Sequence, residues 1–129
     1  MATYPDIKVL LVENDEVNIF VMEKILQKHF RVTTARNGIE ALHFTHKKTF
    51  DVVLMDIDLG HSMDGSEVLE EMRKDPLNDN TKIFAVTGIG LPDDGDYYES
   101  LGFDGFFHKP VSHTQIVDVI KEECYVKTL

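Results

Sequence analysis

Cysteine is nearly absent from this sequence, and its single example, Cys124, cannot form a disulfide within the chain. That usage fits a reducing compartment. Long apolar runs are absent too, since no stretch approaches the roughly 18–20 residues that a membrane span requires. The first six residues contain no basic segment followed by a long apolar one, so we expect no signal peptide and take the cytoplasm as the default location.

Positive charge is also scarce. The chain has 13 lysines and arginines against 23 acidic residues, a formal net charge of −10 at pH 7. Nucleic-acid binding needs a basic face, so direct binding of nucleic acid is not expected. The 129 residues, 43% hydrophobic and 28% charged, are typical of one globular domain. No repeat or linker divides them, so we expect a single domain over 1–129 with its core at about 7–124.

Four apolar runs of strand length each end in a polar side chain. The runs and the groups that end or follow them are residues 7–12 with Glu13, 51–55 with Asp56, 83–86 with Thr87, and 105–108 with Lys109. A fifth, short β-branched run at 31–35 is typical of another strand. In a parallel sheet the carboxyl ends of the strands lie along one edge, where open α/β folds place their sites.

Between the strands, apolar residues recur at helical spacing. Helices are predicted at residues 17–29, from the Asn37-Gly38 turn to about Lys48, around Val68 to Lys74, near residues 93–101, and over Ile116 to Cys124. Strands that alternate with helices imply a parallel sheet covered on both faces. The predicted fold is therefore α/β, a doubly wound five-stranded parallel sheet with helices on both faces.

Capping residues mark several helix starts. Asp15 or Glu16 can cap the first helix. Two pairs resemble capping boxes: Asn37 with Glu40, and Ser112 with Gln115. The apolar side chains at helical spacing in the first helix are Val17, Phe20, Val21, Ile25 and Leu26.

Acid, hydroxyl and ammonium groups at one sheet edge suggest metal-assisted phosphate chemistry. A carboxylate is a competent nucleophile that can form an acyl phosphate. Two carboxylates about 5 Å apart repel by roughly 3 kcal/mol at an effective dielectric constant near 20, and a phosphoryl group adds more negative charge. A bound Mg²⁺ relieves this repulsion, while a lysine and a threonine hydroxyl can stabilise further phosphoryl oxygens.

From Ile7 to about Glu123 the chain resembles the receiver domain of two-component response regulators, which has a flavodoxin-like fold. The resemblance rests on five pieces: residues 9–18 with Glu13-Asn14-Asp15, then Leu54-Met55-Asp56, Met63-Asp64-Gly65, Val86-Thr87-Gly88, and residues 105–110 with Lys109-Pro110. Each piece is weak alone. Their order along the chain and on the predicted strands makes the resemblance specific.

The resemblance implies that Asp56 accepts a phosphoryl group from a phosphohistidine. The donor would be a sensor histidine kinase or a histidine phosphotransfer protein. Glu13 and the position of Asn14 would hold Mg²⁺, with Asp56 and the backbone carbonyl of Asp58 as further ligands.

The resemblance also implies a switch. Thr87 and Lys109 would contact the phosphoryl group, and Phe106 would change rotamer together with Thr87. The Lys109-Pro110 peptide would be cis. These changes would reshape the face formed by residues 88–108 and control an unidentified downstream protein. Such a domain is not an enzyme acting on other substrates, since it catalyses only its own phosphorylation and dephosphorylation.

Two positions depart from the family's pattern. Asn14 stands where the family usually has an acid, and its uncharged amide should bind Mg²⁺ more weakly. Asp15 either compensates or only caps the first helix. Residues 59–63 lack the proline that is usual near Gly60 and form a loop one residue longer than the common form. This loop borders the acceptor, and His61 within it is more typical of a surface residue than of a catalytic base.

Some residues keep two interpretations. Aromatic residues that could form a switch or partner surface, or simply pack in the core, are Phe106, Tyr97, Tyr98 and Phe103. His43 and His46 have i, i+3 spacing, but no further zinc ligand is evident.

Three functions remain open. The first is the phosphorylation-operated receiver. The second is a degenerate receiver that acts as a phosphorylation-independent interaction module, which Asn14 favours. The third is a flavodoxin-like redox protein, although the acidic run 13–16 would repel the phosphate of a flavin. The chain has no room for an output domain, so it is either a single-domain regulator or the receiver of a longer protein.

Overall fold

The computed structural model describes residues 6–59, 63–88 and 94–128, with the side chains of Asp94 and residues 125–128 excepted. Strands and helices alternate along it. The strands are β1 (Lys8–Val12), β2 (Arg31–Ala35), β3 (Val52–Asp56), β4 (Lys82–Thr87) and β5 (Gly105–His108). The helices are α1 (Glu16–Leu26), α2 (Gly38–Lys47), α3 (Gly65–Arg73), α4 (Asp94–Leu101) and α5 (His113–Thr128), with a 3-10 helix at Pro76–Asn78. Among the described helices, none is long and apolar enough to span a membrane.

The five strands form one parallel sheet in the order β2-β1-β3-β4-β5. The predicted doubly wound sheet is therefore confirmed. Its register pairs Val12 with Met55 and Asp56 with Val86. Because all strands run the same way, the residues at and just beyond their carboxyl ends meet at one edge.

Side chains on the two faces of the sheet belong to two separate cores. Leu11 and Leu54 point toward α1 and α5, whereas Leu10 and Val53 point toward α2, α3 and α4. This alternation follows from the period of two in a strand. Strand β3 is buried along its whole length, which explains why its sequence reads as a continuous apolar run.

The apolar stripe that we predicted for the first helix is only partly correct. Helix α1 buries Ile19, Met22 and Leu26. Val17 and Phe20, by contrast, are 69% and 63% exposed, and Val21 is also largely exposed. Two apolar stripes of helical period lie side by side on this helix. Periodicity alone does not tell which of them faces the sheet.

The same helix ends earlier than expected. We predicted a helix over 17–29, but α1 ends at Leu26. The amides of His29 and Phe30 both donate to the carbonyl of Leu26, at 3.0 and 2.9 Å. This turns the chain and buries the Phe30 ring in the core before β2 begins.

Helix caps agree with the sequence in part. Asp15 caps α1 by accepting from the Asn18 amide at 2.9 Å. At the start of α2, Asn37 accepts from the Glu40 amide at 2.8 Å. The Glu40 side chain accepts from the amide of Arg36 instead of the amide of Asn37, so the second hydrogen bond of the expected capping box is replaced.

Two further caps lie later in the chain. Ser112 Oγ accepts from the Gln115 amide at 3.3 Å, one half of the box predicted for α5. A complete box that we did not predict joins Asp64 and Glu67 at the start of α3.

Candidate functional site

Four of the predicted site residues lie at the carboxyl edge of the sheet. Glu13 directly follows β1, Asp56 ends β3, Thr87 ends β4, and Lys109 directly follows β5. The first three are polar residues with only 3%, 3% and 4% of their surface exposed. Buried polar groups are costly unless they find partners, so the contacts among these side chains define the site.

Lys109 connects the two carboxylates. Its Nζ lies 3.1 Å from Oε2 of Glu13 and 3.1 Å from Oδ2 of Asp56. The backbone holds the lysine in place, because its amide donates to the Thr87 carbonyl at 2.8 Å. The Lys109-Pro110 peptide is cis, as the resemblance implied. The single ammonium group of Lys109 therefore forms ion pairs with two buried carboxylates.

This imbalance changes the acidity of the site. Burial, followed by the hydrogen bond and the charge of Glu13, raises the pKa of Asp56 to about 7, against an opposing contribution from Lys109. Burial lowers the pKa of Lys109, but the neighbouring carboxylates of Asp56 and Glu13 outweigh it, so the net direction is upward. The edge thus keeps its lysine charged and has an excess of negative charge.

Backbone amides of neighbouring residues donate hydrogen bonds to both carboxylates. The Asp15 amide donates to Oε1 of Glu13 at 3.1 Å, and the Asp58 amide donates to Oδ1 of Asp56 at 3.2 Å. Asn14 is exposed, and its Nδ2 donates to the Leu59 carbonyl at 3.4 Å. These bonds fix the orientation of both carboxyl groups and leave Asn14 at the rim.

The donor set suits Mg²⁺ in kind. Oxygen ligands are available from the Glu13 and Asp56 carboxylates, the Asn14 amide and the Asp58 backbone, and Mg²⁺ prefers oxygen. The pKa of Asp56 is raised first by burial and then by Glu13, and a bound cation would oppose both effects. In the described part of the chain, no group of three or more His, Cys, Asp or Glu side chains could hold a metal ion. Any magnesium site here would therefore rest on two carboxylates plus neutral oxygens.

The predicted aromatic residues separate into two groups. Tyr98 and Phe103 are buried and belong to the core, whereas Tyr97 is 56% exposed. The Phe106 ring lies 5.9 Å from Tyr98 and 5.1 Å from the ring of His108. Phe106 is half-buried between α4 and the end of β5, next to the strand that ends in Thr87.

Histidines do not form a metal site where the structure describes them. His46 Nδ1 lies 3.0 Å from Oδ2 of Asp75, in a hydrogen bond between α2 and the segment after α3. The loop after the acceptor was predicted to differ from the family's pattern in length and in its lack of a proline. Its residues Gly60 and His61 fall outside the described residues.

Sequence reasoning missed one residue that shapes the acceptor. A Cβ on Gly65 would lie 2.6 Å from the Asp56 carbonyl oxygen. The Gly65 amide also donates to the Ile57 carbonyl at 3.1 Å. Only glycine allows α3 to start this close to the backbone of Asp56. The Asp64-Gly65 pair was the available signal, a helix cap directly followed by glycine.

Comparison with known proteins agrees with this geometry. The family model of the response regulator receiver domain matches residues 9–121. The chain belongs to the response regulator receiver domain family. Receiver domains of this family generally bind Mg²⁺ and serve as signalling modules in two-component systems.

Relatives of several kinds carry this domain. The chain is 31% identical over 121 residues to a probable transcriptional regulator of Porphyra purpurea, covering 93% of this chain and 57% of the relative. It is 27% identical to the polar-differentiation response regulator DivK of Brucella anthropi, covering 88% of this chain and 92% of the relative. Against an autoinducer 2 sensor kinase/phosphatase of Vibrio parahaemolyticus it spans only 13% of the relative's length.

Solved structures share the fold. A CheY-like receiver domain protein from Methanospirillum hungatei superposes with a TM-score of 0.80 at 28% identity, covering 91% of this chain and 92% of that one. The receiver domain of a sensor histidine kinase from Pseudomonas aeruginosa superposes with a TM-score of 0.81 at 28% identity, covering 89% and 94%. That structure has a magnesium ion coordinated in its active site cleft.

Proposed function

We propose that this chain is a working receiver, which accepts a phosphoryl group on Asp56 from a phosphohistidine donor and passes the signal to a partner protein. The observation that carries the proposal is the buried pair of carboxylates, Glu13 and Asp56, bridged by Lys109 at 3.1 Å to each. The family match over residues 9–121 supports treating the whole as one receiver domain.

The transfer step follows from this arrangement. A carboxylate oxygen of Asp56 attacks phosphorus, the P–N bond to the donor imidazole breaks, and the imidazole keeps the electron pair of that bond. Lys109 stabilises negative charge on the phosphoryl oxygens, and the Thr87 hydroxyl donates to another of them. Glu13, Asp56 and neutral oxygens would hold Mg²⁺, which would supply the positive charge that these side chains lack.

The same contacts explain how phosphorylation would alter the surface. Thr87 pairs with His108 in the sheet, and Phe106 packs on His108 and on Tyr98 of α4, so a turn of Thr87 toward the phosphoryl group would change the surroundings of Phe106. A change of the Phe106 rotamer would then alter the α4–β5 face, including the exposed ring of Tyr97. The output is a change in the surface that a downstream partner meets.

Helix α1 offers a surface on which the donor protein could dock. It begins just after the acidic residues at the site, and its Val17 and Phe20 are 69% and 63% exposed. Exposed apolar side chains that lie together often belong to protein interfaces. We place this exchange with a kinase or phosphotransfer protein in the cytoplasm, a reducing compartment that fits the buried Cys124 thiol.

Intact mass spectrometry tests the proposal. The chain is incubated with acetyl phosphate and Mg²⁺, beside Asp56→Asn as the matched control. A gain of one phosphoryl group in the unchanged chain alone is expected. No gain in either chain, repeated with phosphorylated histidine phosphotransfer proteins as donors, would contradict the proposal and favour the phosphorylation-independent interaction module, for which Asn14 is the motivation.

A further inference from the structure

A cavity of about 260 Å³ lies beside the acceptor, between α1 and the connection from β5 to α5. Its floor is formed by side chains of three strands, Leu11, Leu54 and Val86. These belong to the core on the α1 and α5 face of the sheet. The cavity therefore extends from the surface down to the hydrophobic interior.

The walls of the cavity are apolar as well. Val21 and Met22 of α1 form one side, and Val111, after the cis peptide, forms the other. Val21 is 42% exposed, which marks the opening to solvent. A cavity with such a lining favours an apolar ligand body over water, as dry engineered cavities of about 150 Å³ favour benzene.

One end of the cavity is charged. Glu13, Asp56 and Lys109 line it, with the lysine 3.1 Å from each carboxylate. Two carboxylates face one ammonium, so this end has one negative charge in excess when both are ionised.

The charge decides which ligand fits. A carboxylate or phosphate head would face two buried acids and is repelled by their excess charge. An ammonium or amidinium head would add a second cation and balance the two carboxylates. The cavity volume suits a small ligand of about eight to twelve non-hydrogen atoms with an apolar body. Such a ligand is smaller than typical drug-like molecules.

We propose that this cavity is a binding site for a small organic cation, an aryl or alkyl ammonium or amidinium. The apolar body packs on Leu54 and Met22, and the cationic head lies against Glu13 and Asp56. A ligand in this position covers the acceptor carboxylate from the α1 side and would block its approach to a phosphoryl donor. The proposal does not depend on phosphorylation, because binding can be measured on the unphosphorylated chain.

Three probes of nearly equal shape separate charge from apolar contact. Benzylamine, benzyl alcohol and benzoate are each titrated into the full chain at about pH 8 and followed by amide and methyl NMR. Saturable shifts at Val21, Met22 and Val111 are expected with benzylamine. Binding of benzyl alcohol should be weaker by about tenfold or more, and benzoate should give no saturable shift. Equal affinities for the three probes, or shifts that lie elsewhere, would overturn the proposal.

Two variants locate the site. Val21→Phe fills the opening and should weaken benzylamine binding by at least about tenfold. Val17→Phe is the matched control, since it makes the same change on the same helix at a side chain that is 69% exposed and does not line the cavity. It should bind like the unchanged chain. If Val21→Phe fails to fold by circular dichroism, Val111→Phe takes its place, and unchanged binding in the folded variant would refute the proposed location.

Discussion

The two edges of the sheet differ in how their charged side chains are balanced. At the amino edge, Arg73 donates to the carbonyls of Asn78 and Thr81 at 2.9 and 3.1 Å and to Asp104 at 3.0 Å. Asp104 also accepts from the Ile83 amide at 2.7 Å. One cation and one carboxylate are balanced there, whereas at the carboxyl edge a single Lys109 serves both Glu13 and Asp56.

This difference in charge balance indicates that the amino edge has a structural role and the carboxyl edge a chemical one. At the amino edge, the pair of Arg73 and Asp104 is balanced in charge and holds α3 to the starts of β4 and β5. Such a pair is not expected to be reactive. An edge that is short of positive charge costs stability and attracts cations, which is the property that a phosphoryl acceptor needs. The amino edge should therefore respond to mutation through stability, and the carboxyl edge through metal binding and reactivity.

The largest stability loss is expected from Arg73→Ala. The substitution removes three hydrogen bonds and leaves Asp104 without its cation, so we expect a loss of about 2–3 kcal/mol in the free energy of unfolding. Urea denaturation measures it. Lys74→Ala is the matched control, because Lys74 is exposed and pairs with Glu71 on the surface, and the stability of this variant should hardly change. Equal losses in both would remove the contrast between the edges.

Gly65→Ala tests the close approach of α3 to the acceptor. The added Cβ would meet the Asp56 carbonyl at 2.6 Å, so the backbone must shift, at a cost of about 1–3 kcal/mol. Thermal unfolding measures this cost, and phosphorylation by acetyl phosphate should slow with it. In Gly88→Ala the new Cβ meets nothing within 4 Å, and near-unchanged stability is expected. If the Gly65→Ala variant folds and is as stable as the unchanged chain, the contact between α3 and the Asp56 backbone is not tight.

Asp56→Asn should stabilise the protein at neutral and alkaline pH. The pKa of Asp56 is raised from 3.8 to about 7, so between these values the folded state binds more protons than the unfolded state. The unchanged chain therefore loses stability as pH rises through this range. The variant lacks that loss and should gain on the order of 1–2 kcal/mol at about pH 8 relative to about pH 4.

Denaturation at both pH values measures the effect of Asp56→Asn. The control is Asp51→Asn, at the start of the same strand, where the carboxylate accepts from the Lys8 amide at 2.9 Å. A variant that is no more stable than the unchanged chain at about pH 8 would contradict the charge excess at this edge.

The smallest effect is expected from Asn14→Asp. It adds a carboxylate at the rim of the site, next to Glu13, and should tighten Mg²⁺ binding by about tenfold. Isothermal titration with MgCl₂ measures the change. Asp79→Asn, at the opposite end of the sheet, should leave the affinity unchanged. If Asn14→Asp binds no more tightly, Asn14 is not at the metal.

The sequence was sufficient to predict the sheet and the meeting of Asp56, Thr87 and Lys109 at one edge, because strand ends in a parallel sheet are fixed by the apolar runs. It was not sufficient for α1. Two apolar stripes compete there, and the tertiary packing that buries Ile19 and Met22 decides between them. The role of Gly65 was also missed, since a close approach between α3 and the Asp56 backbone depends on tertiary distances that no local pattern encodes.

Titration of the Asp56 side-chain carboxyl by ¹³C NMR, from about pH 3 to about pH 9, tests the central claim most directly. Burial of the Asp56 carboxyl, together with the neighbouring Glu13 carboxylate, predicts a midpoint at about 7, which should fall when Mg²⁺ is added. A midpoint near the ordinary value of 3.8, unmoved by Mg²⁺, would contradict the account.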